Sequence, residues 1–496
     1  MPSIKLSEPK NPLIPTSNEE YSLDHCITKE ELIQDIDFYK KKLEEVHPEP
    51  FRIISKDQFE KLVDNIIHQI NQVNKNQFDI FESFFYFQEI CALVQDGHTR
   101  IVNPYSVKNA YYIKSSKLFP LDIQVVDKKF FVRECWFETN IPKGSEILSI
   151  NGKSIREIFD ETIKFASATF EKYRYEFWSA ELPSVLELYF GLKSPWTIEY
   201  KGKNGMKIIK LRGKEWTDVS KEKFQKKRYN FKTYNLTVNE QIVPVLVVPS
   251  FHYTLDSSFA DEIDEFFLKI KDKEYLIIDL RRNLGGNGAL GIYILRYLAK
   301  NDKSIESHIS FDIKASKSYK QLVNYFIETF FVNENIPEEQ RSFTYYKELT
   351  KGDKTADFRI KILEAETNDF VVKEIANFKQ IKKENKFKGK VFLLISSETF
   401  SAGVVTAAAF KHNKLGVIVG RETGGRIGFF SDPIILELPN SNIRVSYPIA
   451  ILNLFGGKLE RGIAPDYEVR YTADDCIQQI DKDIELVKEL ISKDLE

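Results

Sequence analysis

Tyr275-Leu-Ile-Ile-Asp-Leu-Arg-Arg-Asn-Leu-Gly-Gly-Asn-Gly-Ala-Leu-Gly-Ile-Tyr-Ile-Leu-Arg-Tyr-Leu298 reads as a buried strand, a glycine turn and a helix in direct succession. The run Tyr275–Leu280, apolar except at Asp279, suits a strand covered on both faces, and Ala289–Leu298 is long enough for a helix. The rhythm repeats outward in both directions. Ile242–Val248 is a second buried-type strand, followed by the helix Ser257–Ile270. Val391–Ile395 and Leu415–Val419 are two more, separated by the small-residue helix Ala402–Phe410. Buried strands alternating with helices predict a mainly parallel sheet that binds ligands at the C-terminal ends of its strands. A Lys/Glu-rich helical stretch, 313–388, interrupts the rhythm and reads as an insertion into a core spanning 216–475. Beyond it, Ile477, Ile480, Ile484, Val487 and Ile491 line one stripe of a closing helix, 476–496.

N-terminal to this α/β region the pattern changes twice. Residues 28–105 read as a helical cap. Thr28-Lys-Glu-Glu31 and Ser55-Lys-Asp-Gln58 are capping boxes, each followed by an apolar face, and a third helix starts at about Gln77. Residues 106–215 read as a β-rich module. Leu118–Val126 and Lys129–Glu134 alternate around an Asp-Lys turn, and Glu146–Ile150 runs into Asn151-Gly152, a strong hairpin signal. A helical stretch, Ser154–Leu188 with a break at Pro183, precedes the pair Trp196–Tyr200 and Met206–Leu211. Residues 1–27 read as a polar leader with no apolar h-region.

Composition narrows the function classes. Of 496 residues, Lys plus Arg number 71 against 73 Asp plus Glu, a formal charge of −2 that argues against nucleic acid as partner. No apolar run reaches the roughly 18 residues of a membrane span. Four cysteines without a CxxC pair form no disulfide framework. The seven histidines never fall at HxH or HxxxH spacing, so no metal site is expected.

Several residues bear chemistry, each with a plainer reading beside it. Gly286-Asn-Gly-Ala-Leu-Gly291 fits a dinucleotide fingerprint, but four polar residues intervene between strand and glycines. Gly420-Arg-Glu-Thr-Gly-Gly425 lacks the lysine and hydroxyl of a phosphate loop. Ser401 opens the small-residue helix, where amides and the helix dipole favour a developing oxyanion; on local sequence alone it is simply an N-cap. It lies in no GxSxG elbow. His98, in Asp96-Gly-His-Thr99, is either a general base or a turn residue, and His252 is its rival. Glu460 alone is a surface carboxylate.

The order of segments is more specific than any one of them. Asp96-Gly-His-Thr99, Gly144–Gly152, Asp279-Leu-Arg-Arg-Asn-Leu-Gly-Gly286, Ser397-Glu-Thr-Phe-Ser401-Ala-Gly403, Gly420–Gly425 and Gly462-Ile-Ala-Pro-Asp466 occur in succession. This resembles the tail-specific, or C-terminal-processing, serine peptidase family, including its tricorn-like branch. The resemblance covers most of 28–470 and weakens over 153–235 and 313–388. It implies an α/β multidomain chain, with a ClpP/crotonase-like catalytic core, a PDZ-like module over 106–215 and the N-terminal helical cap. It also implies no cofactor, a polypeptide substrate, and export to a periplasmic or extracellular site, although no signal peptide is visible. Monomer and dimer both remain open.

Carried over residue by residue, the resemblance makes Ser401 the nucleophile and the Gly285–Gly286 turn with the Ala402 amide the oxyanion hole. The processing branch has a lysine base where Arg426 stands here, and a guanidinium with a pKa above about 12 cannot serve as base. The tricorn-like branch uses a histidine base, matched by His98, and a glutamate, matched by Glu460. Its orienting serine is replaced by Gly97. Either Glu460 reaches His98 directly or through water, or Asp96 or another hydroxyl takes that role. Two other readings stand beside the peptidase: an inactive relative that binds a peptide or lipophile, and a nucleotide-dependent enzyme using Gly286–Gly291.

Overall fold

The computed structural model describes residues 25–101, 117–215, 231–252, 257–299, 305, 309–374, 386–455 and 461–495, with backbone alone at Ser257 and Ser258. The chain divides into two compact units. The first takes its residues from Met1–Tyr111, Ser310–Glu374 and Phe429–Asn453, and the second from Tyr112–Ile309, Ile375–Gly428 and Leu454–Glu496.

In the first unit both expected capping boxes form. Thr28 and Glu31 cap the helix Lys29–Val46, and Ser55 and Gln58 cap Lys56–Gln72. The third helix starts later than its apolar pattern predicts. Gln77–Asp79 instead pairs antiparallel with Cys26–Thr28, and the Asp79 carboxylate caps Ile80–Leu93 by accepting from the amides of Phe81 and Glu82. The helices share their unit with an antiparallel sheet ordered Phe370–Glu374, Ile309–Lys314, Arg444–Leu454, Phe430–Glu437, with Arg100–Ile101 also on Arg444–Leu454.

Residues 310–374, which overlap most of the stretch 313–388 read as an insertion into the core, thus group with the N-terminal helices. The physical reason is a set of polar ties. Lys314 Nζ donates to the carbonyls of Glu44 (2.9 Å) and His47 (3.0 Å), placing a cation at the C-terminus of Lys29–Val46. Ser318 donates its amide to Glu45 at 2.7 Å and accepts from Lys42 at 3.0 Å. On the same helix, buried Asp35 accepts from the amides of Asn440 (2.9 Å) and Ser441 (2.8 Å), holding the turn that precedes Arg444–Leu454.

In the second unit the β-rich module is an antiparallel sheet ordered Gly205–Leu211, Trp196–Gly202, Glu146–Ile150, Lys129–Cys135, Leu121–Val126. Its Asn151-Gly152 turn forms with positive φ at both residues, as that dipeptide requires. The helical stretch after it does not break at Pro183. Ile155–Thr162 and Glu171–Ser184 are separated by a turn at 163–170, and Pro183 lies inside the second helix, which ends in a wider turn at Val185–Tyr189. The Thr162 hydroxyl marks the true break by accepting from the Trp178 indole at 2.9 Å.

The α/β rhythm gives a six-stranded sheet ordered Lys232–Val238, Gln241–Val247, Tyr275–Asp279, Lys390–Ile395, Val417–Gly420, Tyr467–Glu468. Every neighbouring pair after the first is parallel. Val247 lies opposite Asp279, Asp279 opposite Leu394, and Ile395 opposite Gly420. The strand ends are therefore flush, and the loops that leave them share one edge of the sheet. The closing helix Lys482–Leu495 packs Ile484, Val487 and Ile491 onto Val243, Val245, Ile277 and Leu394. Among the described residues no helix is long and apolar enough to cross a membrane.

Candidate active site

Two flush strand ends deliver the Ser401 loop and the glycine turn to one place. The loop Ser396–Phe400 leaves Lys390–Ile395 and is sewn to the turn after Tyr275–Asp279. Thr399 Oγ1 donates to the Leu280 carbonyl at 2.8 Å, and the Phe400 amide donates to the Asn283 carbonyl at 2.9 Å. This stitching holds Ser401 at φ 51° and ψ −119°, a conformation that L-residues rarely adopt. Such a backbone costs roughly 1–3 kcal/mol and persists only where its surroundings over-determine it. The N-cap reading of Ser401 fails at its hydroxyl, which makes no capping hydrogen bond to the helix Ala402–His412. That helix lies buried from Ala402 to Phe410, the close approach that its small residues allow.

The glycines answer to the same crowding. A Cβ on Gly285 (φ 97°) would sit 2.6 Å from the Ser401 Cβ and 3.0 Å from the Ala402 nitrogen. A Cβ on Gly286 (φ 123°) would sit 2.4 Å from the Phe251 carbonyl. Of the two amides, that of Gly285 is committed, donating to Asn283 Oδ1 at 2.9 Å. Asn283 is fully buried and donates in turn to the Val248 carbonyl at 2.8 Å. The GxGxxG and phosphate-loop resemblances dissolve into packing. Gly291 meets Thr406 where two helices touch, and Gly424 meets the Ser397 carbonyl.

Arg426 follows this second glycine segment, with its guanidinium over the Phe170 ring at 5.7 Å. The segment is hooked to the stretch after Glu460: the Gly462 amide donates to Glu422 at 2.7 Å and the Ile463 amide to Thr423 Oγ1 at 2.8 Å. Glu460 itself lies outside the described residues. The rival base His252 adjoins the glycine turn through its backbone, and its ring Nδ1 lies 2.6 Å from Ser250 Oγ.

His98 belongs to the first unit, in the tight turn after Ile80–Leu93. Asp96 organises that turn. Its carboxylate accepts from the amides of His98 (3.2 Å) and Thr99 (2.9 Å) and from the Thr99 hydroxyl (2.8 Å). Asp96 Oδ1 is 3.9 Å from His98 Nδ1, and the His98 ring stacks on Phe429 with 5.7 Å between centroids. Gly97 adds no side chain to this turn. Burial pushes His98 down to about 4; Asp96 opposes the shift, while Arg100 and His47 add to it. Burial pushes Asp96 up, yet His47, His98 and Thr99 outweigh it and hold the carboxyl below its usual range. His98 is therefore a neutral imidazole at neutral pH.

A charged network beside the Ser401 loop left no trace in sequence reading, because its members come from distant stretches. Arg133 donates to Asp122 (2.8 Å), Glu176 (2.9 Å) and Glu398 (2.5 Å), and Arg282 donates to Asp122 at 2.8 Å. Burial raises the Asp122 carboxyl, but Arg133 and Arg282 overcome it and bring it to about 2. Glu398 thus ties the loop three residues before Ser401 to the β-rich module. Arg133, Glu176, Arg282 and Glu398 line part of a cavity of about 860 Å³. Among the described residues no cluster of three or more His, Cys, Asp or Glu could hold a metal.

The profile of peptidase family S41 matches residues 243–469. No curated protein matches the chain. Among solved structures, mature CPAF aligns at a TM-score of 0.64 and 14% identity, covering 94% of this chain and 97% of that one. Mature CPAF complexed with lactacystin aligns at 0.63 and 14%, covering 94% and 98%. The photosystem II D1 C-terminal processing protease aligns at only 0.43 and 12%, over 92% and 96%. At these identities the likeness is one of fold. The matched segment contains the flush strand ends, the glycine turn and Ser401, and over that segment this chain is similar to peptidase family S41, a family of serine-type peptidases.

Proposed function

We propose that Ser401 attacks the scissile carbonyl of unstructured or C-terminal polypeptide segments, with His98 as general base. One observation carries this reading. Ser401 is held in a costly backbone conformation at a helix N-terminus, with its hydroxyl withheld from capping and a glycine packed against it where no side chain fits. A merely structural serine gains nothing from that strain. His98 Nε2 takes the hydroxyl proton and returns it to the leaving amine, while Asp96 or Glu460 keeps the Nδ1 proton in place. The Gly286 and Ala402 amides hold the oxyanion, a contribution worth about 10²–10³ in rate. Gly285 serves by having no side chain. Arg426 takes no part in proton transfer.

In this reading the second unit's α/β sheet is a ClpP/crotonase-like core. The β-rich module is PDZ-like and presents an extended polypeptide by strand addition.

The test is intact mass after incubation with a fluorophosphonate, followed by peptide mapping. The expected result is a single adduct on Ser401, lost in His98→Ala and retained in His252→Ala. An adduct retained in His98→Ala and lost in His252→Ala would transfer the base role. No adduct on Ser401 at any pH would overturn the peptidase reading in favour of a binding protein.

A further inference from the structure

We infer that His47 is a positioning residue for the proposed base, holding the Asp96 carboxylate that orients His98. The inference rests on the assignment of His98 as base. All three residues lie in the first unit.

His47 follows the helix Lys29–Val46, and its amide closes that helix by donating to the Leu43 carbonyl at 3.0 Å. Its ring is wholly buried. The Glu49 amide donates to His47 Nδ1 at 3.1 Å, so Nδ1 is the acceptor and the neutral ring carries its proton on Nε2. That Nε2 has no hydrogen-bond partner among the described residues, and the carboxylate facing it is that of Asp96, with Oδ2 at 3.7 Å. A buried donor without an acceptor costs roughly 1–3 kcal/mol. Retaining an imidazole there calls for a compensating role.

The carboxylate presents one oxygen to each ring, Oδ2 to His47 and Oδ1 to His98. Consecutive aromatics brace the pair, since His47 packs edge-on against Phe430 and His98 stacks on Phe429. Both gaps exceed a hydrogen bond, and catalytic contacts of this kind commonly tighten when substrate binds. An Nε2–H aimed at Asp96 favours its ionised form. The ionised carboxylate in turn favours the His98 tautomer with the proton on Nδ1, leaving Nε2 as base. Other charged or titratable groups facing the trio are Lys314 and Glu49 toward His47, Arg100 toward His98, and Tyr39 toward Asp96.

The test compares the rate of fluorophosphonate labelling of Ser401 against pH in the full chain. His47→Leu should lower the plateau rate ten-fold or more and move its acidic limb to lower pH, because His98 loses an ionised partner. His47→Gln, whose side-chain amide can donate to the same oxygen, should recover to within three-fold. Wild-type plateau and limb in a folded His47→Leu would overturn the inference, and loss in His98→Ala alone would leave the base assignment intact. Labelling unchanged in His98→Ala would overturn that assignment instead. If His47→Leu does not fold, ¹⁵N spectra of the wild-type histidines decide. A neutral His47 protonated at Nε2, with a shift that responds to Asp96→Asn, is expected, and a proton on Nδ1 would overturn the inference.

Discussion

The surroundings of Ser401 and of His98 are built by opposite means. At Ser401 the backbone does the positioning: a forced φ, a glycine that no other residue can replace, and loop amides tied to carbonyls of the neighbouring turn. At His98 side chains do it, through a buried carboxylate between two imidazoles in an aromatic wall. Backbone constraints respond to sterics and hardly to pH. Buried charges respond to both the solvent and the loss of one partner. The two regions should therefore fail differently.

The largest effect is expected at the proposed nucleophile. Ser401→Ala and Ser401→Gly should both lose activity by 10⁴-fold or more. Only Ser401→Gly should gain stability, by up to about 1 kcal/mol, since glycine adopts positive φ without strain. Equal urea midpoints for the two variants would show that the Ser401 backbone stores nothing.

Next in size is Gly285→Ala. Its Cβ would fall 2.6 Å from that of Ser401, so the loop must move and the oxyanion donors with it. A loss of about 10²–10³ in rate is expected, the value of a misplaced oxyanion donor. Near wild-type turnover would mean that the turn is pliable and that backbone placement does not limit the rate.

The smallest effect is a pH dependence confined to the His98 region. The folded pKa of His98 is depressed to about 4, so the neutral imidazole persists, and with His98 as the proposed base the acidic limb of turnover should lie near 4 rather than near the ordinary histidine value. The same shift has a stability consequence. Between about 6.5 and 4 the unfolded chain binds a proton at this residue that the native chain refuses. Stability should thus fall as pH drops through that window, by up to about 1.4 kcal/mol per pH unit, and His47, also depressed by burial, adds in the same direction. Denaturant melts in His98→Gln should show a shallower slope. An unchanged slope would show that His98 is not the group refusing the proton.

The amino-acid sequence by itself determined whatever depends on near neighbours. The capping boxes at Thr28 and Ser55 and the Asn151-Gly152 turn each leave a local mark, because each satisfies hydrogen bonds or relieves clashes within a few residues, and the parallel sheet shows in the alternation of apolar runs with helices. The tertiary structure alone decided what depends on burial and distant charge. It withheld the Ser401 hydroxyl from capping, moved the helix break from Pro183 to 163–170, and gathered 310–374 to the N-terminal helices through Lys314 and Ser318. It also put Asp96 between His47 and His98, and Glu398 in the grip of Arg133. Spacing along the chain cannot report these, because desolvation and ion pairing act between residues that only folding brings together.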